Sequence, residues 1–294
     1  MSVLVLARAL KLSAIPALVA SLLSGCSGLA TLNAALLAQD YPVAEDIAYG
    51  PHSRQRLDIH RPENGTGHPV VVFFYGGGWK NGDRGDYRFV AEALVKRGYV
   101  VVIPDYRLYP SVSFPAFIED GARALRWVRE NAGRYGGDPD RLYLGGHSAG
   151  AHLGAMLALD RRYLEAEGLD TDIVKGFFGL AGPYAFDPMK YRSTRDIFAT
   201  AETQEEAQPV NFVTDKAPPM LLLHGTDDGT VYPVNSRELA KALRAENRPV
   251  RHVEYADTGH IAILLAFYPE LAGSLPLIED VSRALREFEA GTFR

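Results

Sequence analysis

The sequence predicts an α/β protein with a mostly parallel central sheet and helices on both faces. Continuous apolar runs, VVVFFY at 70–75 and YVVVIP at 99–104, are typical of strands that are covered on both faces. Between them, YRFVAEALVKRG at 87–98 has the apolar spacing of an amphipathic helix and ends on glycine. The two patterns alternate along most of the chain, as they do in proteins with parallel sheets.

The elements follow one another from about residue 45. EDIAYG and QRLDIH predict two strands joined by a turn at 51–53. The further predicted strands are VVVFFY, YVVVIP, RLYLGG (141–146), IVKGFFGLAG (173–182), PMLLLHG (219–225) and VRHVEYA (250–256). The predicted helices are YRFVAEALVKRG, FIEDGARALRWVRENAGRYG (117–136), one from about Ala149, NSRELAKALRAEN (235–247) and PLIEDVSRALREFEA (276–290). In such sheets, functional groups gather at the carboxyl ends of the strands.

Composition and motif spacing exclude several classes of function. The 294 residues include 31 Lys and Arg against 36 Asp and Glu, a net charge of −5, so no nucleic acid partner is expected. The single cysteine excludes an intrachain disulfide and a cysteine-rich zinc site. The sequence has no motif typical of a phosphate loop, a dinucleotide site or a His-Glu-x-x-His zinc site. We therefore expect neither a metal nor an organic cofactor.

The beginning of the chain resembles the signal segment of a bacterial lipoprotein. Arg8 and Lys11 supply early positive charge, and a short apolar stretch follows them. Leu23-Ser24-Gly25-Cys26 is similar to a lipobox. The resemblance implies that residues 1–25 are removed and that Cys26 carries lipid. An ordinary signal peptide and a buried N-terminal helix are the alternatives.

The lipobox also predicts how the chain is organised and where it works. Residues 26–43 would form a tether, and residues 44–294 would form the folded domain. The protein would then be attached to the membrane in the bacterial cell envelope. Ser27 follows the cysteine in place of aspartate, and by resemblance to enterobacterial lipoproteins this implies the outer membrane, with the domain facing the periplasm or the surface.

Gly146-His147-Ser148-Ala149-Gly150 lies where a predicted strand becomes a predicted helix. In that context Gly-x-Ser-x-Gly is typical of a nucleophile elbow, a turn so tight that the serine backbone is strained. Side chains at the two glycines would collide with neighbouring backbone. The serine hydroxyl stands exposed near the positive N-terminus of the helix. We predict that Ser148 is a nucleophile, and a purely structural turn is the alternative.

A nucleophilic serine needs a base, which in this arrangement should be a histidine late in the chain. His260 follows a predicted strand in the loop ADTGH and is free to reach over the serine. His224, at another strand end, is the alternative base. His152 lies one helical turn after the serine and should pack or cap, and His252 lies inside a strand.

The base in turn needs a carboxylate that holds its tautomer and balances its charge. The loop in HGTDDGTVYP offers Asp227 and Asp228 after another strand. Spacing alone does not separate these neighbours, and a solvated turn is the alternative role for both.

A catalyst of this kind must also stabilise an oxyanion with backbone N–H groups. One should come from Ala149, directly after the serine. Another should come from a loop after an earlier strand, and FFYGGGWKNGD places three consecutive glycines, 76–78, in such a position. Consecutive glycines allow the backbone to approach a substrate closely.

The stretches YGGGW, DYRLYP, FIEDGARALRWV, GGDPDRLYLGGHSAG, HGTDDGTVYP and GH together resemble the α/β-hydrolase family over residues 45–290. The nearest groups are carboxylesterases of the hormone-sensitive-lipase-like and feruloyl-esterase-like types. The resemblance implies an α/β-hydrolase fold and assigns the triad carboxylate to Asp228. It also implies an oxyanion hole built from the amides of Gly77, Gly78 and Ala149.

The sequence departs from this family pattern at two places. GHSAGA replaces the GDSAGG of hormone-sensitive-lipase relatives, and Tyr75 replaces the histidine that is usual in HGGG. The GGW triplet is also similar to kynurenine formamidases. The two departures argue against the hormone-sensitive-lipase group, and the GGW similarity leaves amide substrates open.

These observations predict a serine carboxylic ester hydrolase that uses a Ser-His-Asp triad, an acyl-enzyme and a small-molecule ester. An amidase or formamidase is the alternative enzyme. A non-catalytic envelope binding protein with the same fold is the alternative from another class, and it would have no need of a complete triad. Residues 182–218 predict either a short lid-like insertion or a plain surface connection. Trp79, Tyr184 and Phe186 are candidate walls of the substrate pocket, with packing as the alternative role.

Overall fold

The computed structural model describes Asn33 and residues 40–268, 271–273 and 275–294. The predicted signal segment and lipidation site, within residues 1–26, lie outside the described residues. Within the described ranges, no helix is both long enough and apolar enough to cross a membrane.

The centre of the protein is an eight-stranded sheet with the strand order β1-β2-β4-β3-β5-β6-β7-β8. β1 pairs antiparallel with β2 and β2 pairs antiparallel with β4, whereas all the remaining pairs are parallel. This arrangement confirms the predicted mostly parallel sheet. The strands are β1 (Val43–Ala48), β2 (Arg56–His60), β3 (His68–Phe74), β4 (Val100–Pro104), β5 (Gly137–His147), β6 (Val174–Leu180), β7 (Met220–Gly225) and β8 (Val250–Tyr255).

The described helices include all five that the sequence predicts. They are α1 (Arg88–Val95), α2 (Ala116–Asn131), α3 (Ala149–Leu159), α4 (Arg161–Ala166), α5 (Arg192–Arg195), α6 (Val234–Ala245), α7 (Ala262–Leu265) and α8 (Leu277–Ala290). The sequence analysis missed α4, α5 and α7, which have only one or two turns and show little periodicity. The start of α4 has a local cause, because the Asp160 side chain accepts a hydrogen bond from the Arg162 N–H.

Helices cover both faces of the sheet, as predicted. Gly176 and Phe177 are neighbours in β6, so their Cβ directions point to opposite faces. The space at Gly176 is filled by Phe288 of α8, because a Cβ there would lie 2.4 Å from that ring. Phe177 instead faces Gly154 of α3, where a Cβ would lie 3.0 Å from the phenyl ring. α8 and α3 therefore lie on opposite faces of the sheet.

The segment 182–218 leaves the carboxyl end of β6 and returns to the start of β7. It is packed against the domain, because Ile197 and Phe198 are fully buried. The Phe114 N–H donates a hydrogen bond to the Ile197 carbonyl at 2.9 Å. These contacts show how the segment lies in this structure, and its role as a lid stays a prediction.

The predicted tether is attached to the domain at Asn33. The Asn33 side chain is buried, and its amide donates to the carbonyls of Gly85 and Asp86 at 3.1 and 2.9 Å. Its side-chain oxygen accepts a hydrogen bond from the Tyr268 hydroxyl at 2.7 Å. At this residue the segment 26–43 is therefore part of the packed domain. The amphipathic patterns did not reveal this contact, because it joins residues far apart in the sequence.

His60 is a buried histidine, the last residue of β2, and pairs with Val101 near the start of the antiparallel strand β4. Its ring lies 5.8 Å from that of Tyr41. Among the described residues, neither ring nitrogen of His60 has a hydrogen-bond partner. Burial lowers the pKa of His60 to about 4, so the ring stays neutral in the folded protein at neutral pH.

Replacing this residue, His60→Leu, should weaken the pH dependence of stability between pH 6.5 and pH 4. Below its ordinary pKa of about 6.5, histidine in the unfolded chain takes up a proton that folded His60 does not, so the free energy of unfolding falls with pH. The full shift corresponds to at most about 3 kcal/mol. Urea unfolding at pH 7.5 and pH 5 measures the effect. An equal loss between the two pH values in both proteins would show that His60 does not contribute.

Candidate active site

Ser148 joins β5 to α3 with a left-handed backbone conformation, φ 54° and ψ −122°. The turn is crowded on both sides. A Cβ on Gly150 would lie 2.0 Å from the Phe74 carbonyl oxygen, and one on Gly146 would lie 2.5 Å from the Gly150 carbonyl oxygen. The Ser148 N–H donates to the Leu180 carbonyl at 2.9 Å. This is the crowding that the sequence predicts for a nucleophile elbow.

The structure brings three of the predicted site residues into one hydrogen-bonded row. The Ser148 hydroxyl lies 2.9 Å from Nε2 of His260, and Nδ1 of His260 lies 2.7 Å from Oδ2 of Asp228. Because the carboxylate can only accept, Nδ1–H donates to Asp228 and Nε2 is left to accept from the serine. This tautomer allows the imidazole to take the serine proton.

Asp228 is buried and is held as a carboxylate by several donors. Its Oδ1 accepts the backbone N–H groups of Thr230 and Val231, each at 2.9 Å. Nε2 of His224 also lies 3.3 Å from Oδ2. Burial raises the pKa of Asp228, but the hydrogen bonds from His224, His260 and the Val231 N–H outweigh it and hold the pKa well below the usual range.

The carboxylate of the neighbouring Asp227 does not contact His260. Asp227 is exposed, and its backbone N–H donates to the Thr258 carbonyl at 3.1 Å. The structure therefore separates the two aspartates that residue spacing left equivalent. It places Asp228 against His260 and leaves Asp227 in solvent.

The other downstream histidines are not in contact with the serine hydroxyl. His224 is buried under the carboxylate loop, where Nδ1 accepts from the Ser236 hydroxyl at 2.7 Å and Nε2 donates to the Val231 carbonyl at 2.8 Å. It supports the loop that carries Asp228, a role that the sequence analysis did not assign. His252 lies within β8, as predicted.

The glycine loop after β3 presents backbone N–H groups beside the elbow. Gly77 and Gly78 have φ of 136° and 62°, which glycine adopts without strain. A Cβ on Gly77 would lie 2.0 Å from the Asn81 carbonyl oxygen. Within the described residues, the N–H groups of Gly77 and Gly78 have no acceptor. Ala149 is the first residue of α3, where backbone N–H groups lack helical partners.

A charged network supports this glycine loop, and sequence reasoning missed it. The Tyr75 hydroxyl donates to Asp105 at 2.8 Å and accepts from Arg54 at 2.6 Å. Arg54 also donates to the Gly82 carbonyl at 2.9 Å, and the Arg84 N–H donates to Asp105 at 2.9 Å. The tyrosine that replaces the usual histidine therefore ties the loop to a buried carboxylate. The sequence features that could have indicated this network are the unusual Tyr75 and the DYR motif at 105–107.

Two of the three candidate pocket residues lie in an aromatic cluster beside the loop. Trp79 and Phe186 stack with ring centroids 5.9 Å apart. Phe198 contacts Trp79 edge-on at 4.9 Å, and His152 does so at 5.2 Å. Trp79 is 4% exposed, whereas Phe186 is only partly buried. The His152 N–H donates to the Ser148 carbonyl at 3.0 Å, so the cluster lies beside the turn that carries the serine. The role of Trp79 and Phe186 as pocket walls stays a prediction.

Tyr184, the third candidate, is packed in the core. It is fully buried and contacts Phe177 edge-on, with ring centroids 6.4 Å apart. Its hydroxyl fills the space at Gly179, where a Cβ would lie only 2.0 Å away. The prediction that Tyr184 lines the pocket is therefore wrong. Its packing against Gly179 and Phe177 could not be read from local sequence.

The BD-FAE family model matches residues 57–243. An isoprenylcysteine alpha-carbonyl methylesterase of Arabidopsis thaliana is 30% identical over 261 residues, which cover 81% of this chain and 61% of that protein. Esterase LipQ of Mycobacterium tuberculosis is 34% identical over 242 residues, 75% of this chain and 58% of that protein. The chain thus spans about three fifths of the length of these curated relatives.

Solved structures share the fold at lower identity. A truncated carbohydrate esterase from gut microbiota has a TM-score of 0.72 at 21% identity and covers 87% of this chain and 99% of that one. Esterase 2 of Thermogutta terrifontis has a TM-score of 0.71 at 23% identity, over 88% of this chain and 97% of that one. These likenesses show that the chain has the α/β-hydrolase fold.

The two aspartates provide a matched pair of variants. Asp228→Asn should lower the turnover of p-nitrophenyl acetate by about 10⁴-fold, because an amide in place of the carboxylate favours the wrong tautomer of His260. Asp227→Asn removes the same charge in solvent and should change turnover less than about twofold. Steady-state rates of both purified variants test the assignment, and the opposite ranking would overturn it.

Proposed function

The chain belongs to the BD-FAE family, and we propose that it is a serine carboxylic ester hydrolase. The observation that carries the proposal is the row Ser148–His260–Asp228, with hydrogen bonds of 2.9 and 2.7 Å. The N–H groups of Gly77 and Gly78, which have no acceptor among the described residues, follow β3 at the same carboxyl edge of the sheet. A nucleophile, its base and an anion site together are what acyl transfer requires.

In the proposed reaction, Ser148 Oγ attacks the ester carbonyl carbon while Nε2 of His260 takes the hydroxyl proton. The carbonyl oxygen becomes an oxyanion that accepts hydrogen bonds from the amides of Gly77, Gly78 and Ala149. His260 then protonates the leaving alcohol as the tetrahedral adduct collapses to an acyl-enzyme. A water molecule, deprotonated by His260, attacks the acyl carbon, and Ser148 recovers its proton as the carboxylic acid leaves.

Asp228 contributes by remaining ionised throughout this cycle. It orients His260 through Nδ1–H and balances the positive charge that forms on the imidazole. Its low pKa means that it does not compete for the proton. Asp228 thus keeps the same role in both halves of the reaction, whereas His260 alternates between base and acid.

The relatives support an ester substrate over an amide. Those described above are named as a methylesterase and as esterases, and none of these names refers to an amide. The aromatic wall of Trp79 and Phe186 supports a substrate with an apolar group next to the scissile carbonyl. We therefore propose a small-molecule carboxylic ester with an apolar acyl or alcohol part.

We also propose that the mature protein is lipid-anchored in a bacterial envelope. Support comes from the similarity of Leu23-Ser24-Gly25-Cys26 to a lipobox after a short apolar stretch. Several acyl chains would anchor the protein stably, at roughly 0.8 kcal/mol per buried CH₂. The active site would then face the periplasm or the cell surface.

The nucleophile is tested by Ser148→Ala. Turnover of p-nitrophenyl acetate should fall by about 10⁴-fold or more, because the attacking oxygen is gone, while the circular dichroism spectrum and Tm stay unchanged. Covalent labelling by a fluorophosphonate should disappear. Ser53→Ala is the control: it removes an exposed hydroxyl remote in sequence from Ser148 and should leave both turnover and labelling unchanged. Near-native turnover in Ser148→Ala would contradict the proposed mechanism.

The anchor is tested by Cys26→Ala in a bacterial host. Wild-type protein should partition into the membrane fraction with residues 1–25 missing from its intact mass, because lipid on the cysteine binds the bilayer. The variant should lose the lipid mass and leave the membrane fraction. Equal partition of both proteins into the soluble fraction, with Met1 retained, would contradict the proposed anchor.

A further inference from the structure

His147 lies between the parts of the active site that come from different strands. Its ring is buried and lies 4.8 Å from the ring of His260, centroid to centroid. Its Nε2 is 3.1 Å from the backbone carbonyl oxygen of His260. On its other side it packs against the glycine loop, because a Cβ on Gly76 would lie 2.8 Å from Nδ1 of His147.

The hydrogen-bond partners of His147 determine which of its two ring nitrogens donates and which accepts. The partner of Nε2 is a carbonyl, so Nε2 carries the hydrogen and donates. Nδ1 is then an acceptor, and it faces the Tyr87 hydroxyl at 3.5 Å. That hydroxyl accepts the Gly76 N–H at 3.1 Å. The chain of contacts runs from the backbone of the glycine loop through Tyr87 and His147 to the backbone of His260.

The environment also keeps this histidine uncharged. Burial, and then the proximity of His260, lower the pKa of His147 to about 3. A neutral ring adds no repulsion when His260 becomes positively charged during the reaction. It also keeps the lone pair on Nδ1 that the Tyr87 hydroxyl can reach.

We propose that His147 is a positioning residue that fixes the backbone of His260 relative to the oxyanion loop. The inference rests on the proposed hydrolase function and adds a residue that does not itself touch the reacting atoms. The distance between base and oxyanion amides depends on loops after two different strands, β3 and β8. His147 is hydrogen-bonded to the loop after β8 and packs against Gly76 in the loop after β3, so it sets that distance from within the elbow.

The chemistry of the partner explains why histidine is needed at this position. The His260 carbonyl can only accept, so the residue at 147 must supply an N–H. An aspartate, as in the GDSAGG pattern, would place a carboxylate against the carbonyl. Glutamine can present an amide N–H at about the reach of Nε2 and remains neutral.

Four variants test the proposal with the full chain. His147→Leu and His147→Asp should lower kcat for p-nitrophenyl acetate about 10- to 100-fold with KM within about threefold, because a misplaced base slows chemistry more than binding. His147→Gln should stay within about fivefold of wild type. Tyr87→Phe keeps the ring and should lower kcat about three- to tenfold. Urea unfolding midpoints report whether each variant folds.

His60→Leu is the matched control for buried histidine loss. His60 is also buried but ends β2 opposite the start of β4, away from the carboxyl edge that carries the site. Its replacement should therefore leave kcat unchanged at pH 7.5. A readout that does not need turnover is the low-field proton resonance of the His260–Asp228 hydrogen bond. It should weaken in His147→Leu and return in His147→Gln.

The outcomes separate this inference from the proposed function. Absence of ester turnover in wild type would overturn the function, and the resonance would still test His147. Active wild type with equally active His147→Leu would overturn the inference alone. If folded His147→Gln is as slow as His147→Leu, the N–H has no positioning role and the inference fails.

Discussion

The left-handed backbone at Ser148 is the constraint on which the rest of the site depends. A non-glycine residue in such a conformation costs on the order of 1–3 kcal/mol and persists only where its surroundings leave no alternative. Here Gly150 lies against the carbonyl of Phe74 in β3, and the Ser148 N–H is bound to Leu180 in β6. Three adjacent parallel strands thus hold the turn, and the hydroxyl is presented at the point where their carboxyl ends meet.

The remaining groups reach that point because parallel strands end on one edge of the sheet. The carboxylate loop after β7 and the base loop after β8 are also bound to each other. The Asp227 N–H donates to the Thr258 carbonyl at 3.1 Å, and the Thr226 N–H donates to the Tyr255 carbonyl at 2.9 Å. Backbone hydrogen bonds between the loops hold Asp228 and His260 of the proposed triad in place, and such preorganisation is what electrostatic catalysis requires.

Burial and ion pairing decide which groups around the site are charged and which are neutral. Asp228 is ionised and saturated with donors, whereas His147 and His152 are buried and have pKa values lowered to about 3 and 4. Under the glycine loop, Asp105 is paired with Arg84 and Arg54. Removing one of these arginines would leave the buried Asp105 carboxylate with less compensating charge. In the proposed reaction, positive charge then develops on His260 beside a neutral His147.

The sequence by itself determined the fold class and the two residues with the strongest local signatures. Apolar runs and helical spacing are local patterns, so they predicted the parallel sheet and its five main helices. Gly-x-Ser-x-Gly between strand and helix identified Ser148, and chain order with a strand-end loop identified His260. The family resemblance, not the spacing, chose Asp228 over Asp227. These predictions depend on residues close together in the chain, where periodicity and turn chemistry apply.

Only the tertiary structure decided the contacts between distant segments. It turned Asp228 inward, because its carboxylate binds the N–H groups of its own turn while Asp227 faces solvent. It placed Tyr184 in the core behind Gly179, although its aromatic character had suggested a pocket wall. It also brought His147 against the carbonyl of a residue 113 positions away. No local pattern encodes such contacts, because they depend on which loops the strand order brings together at the carboxyl edge.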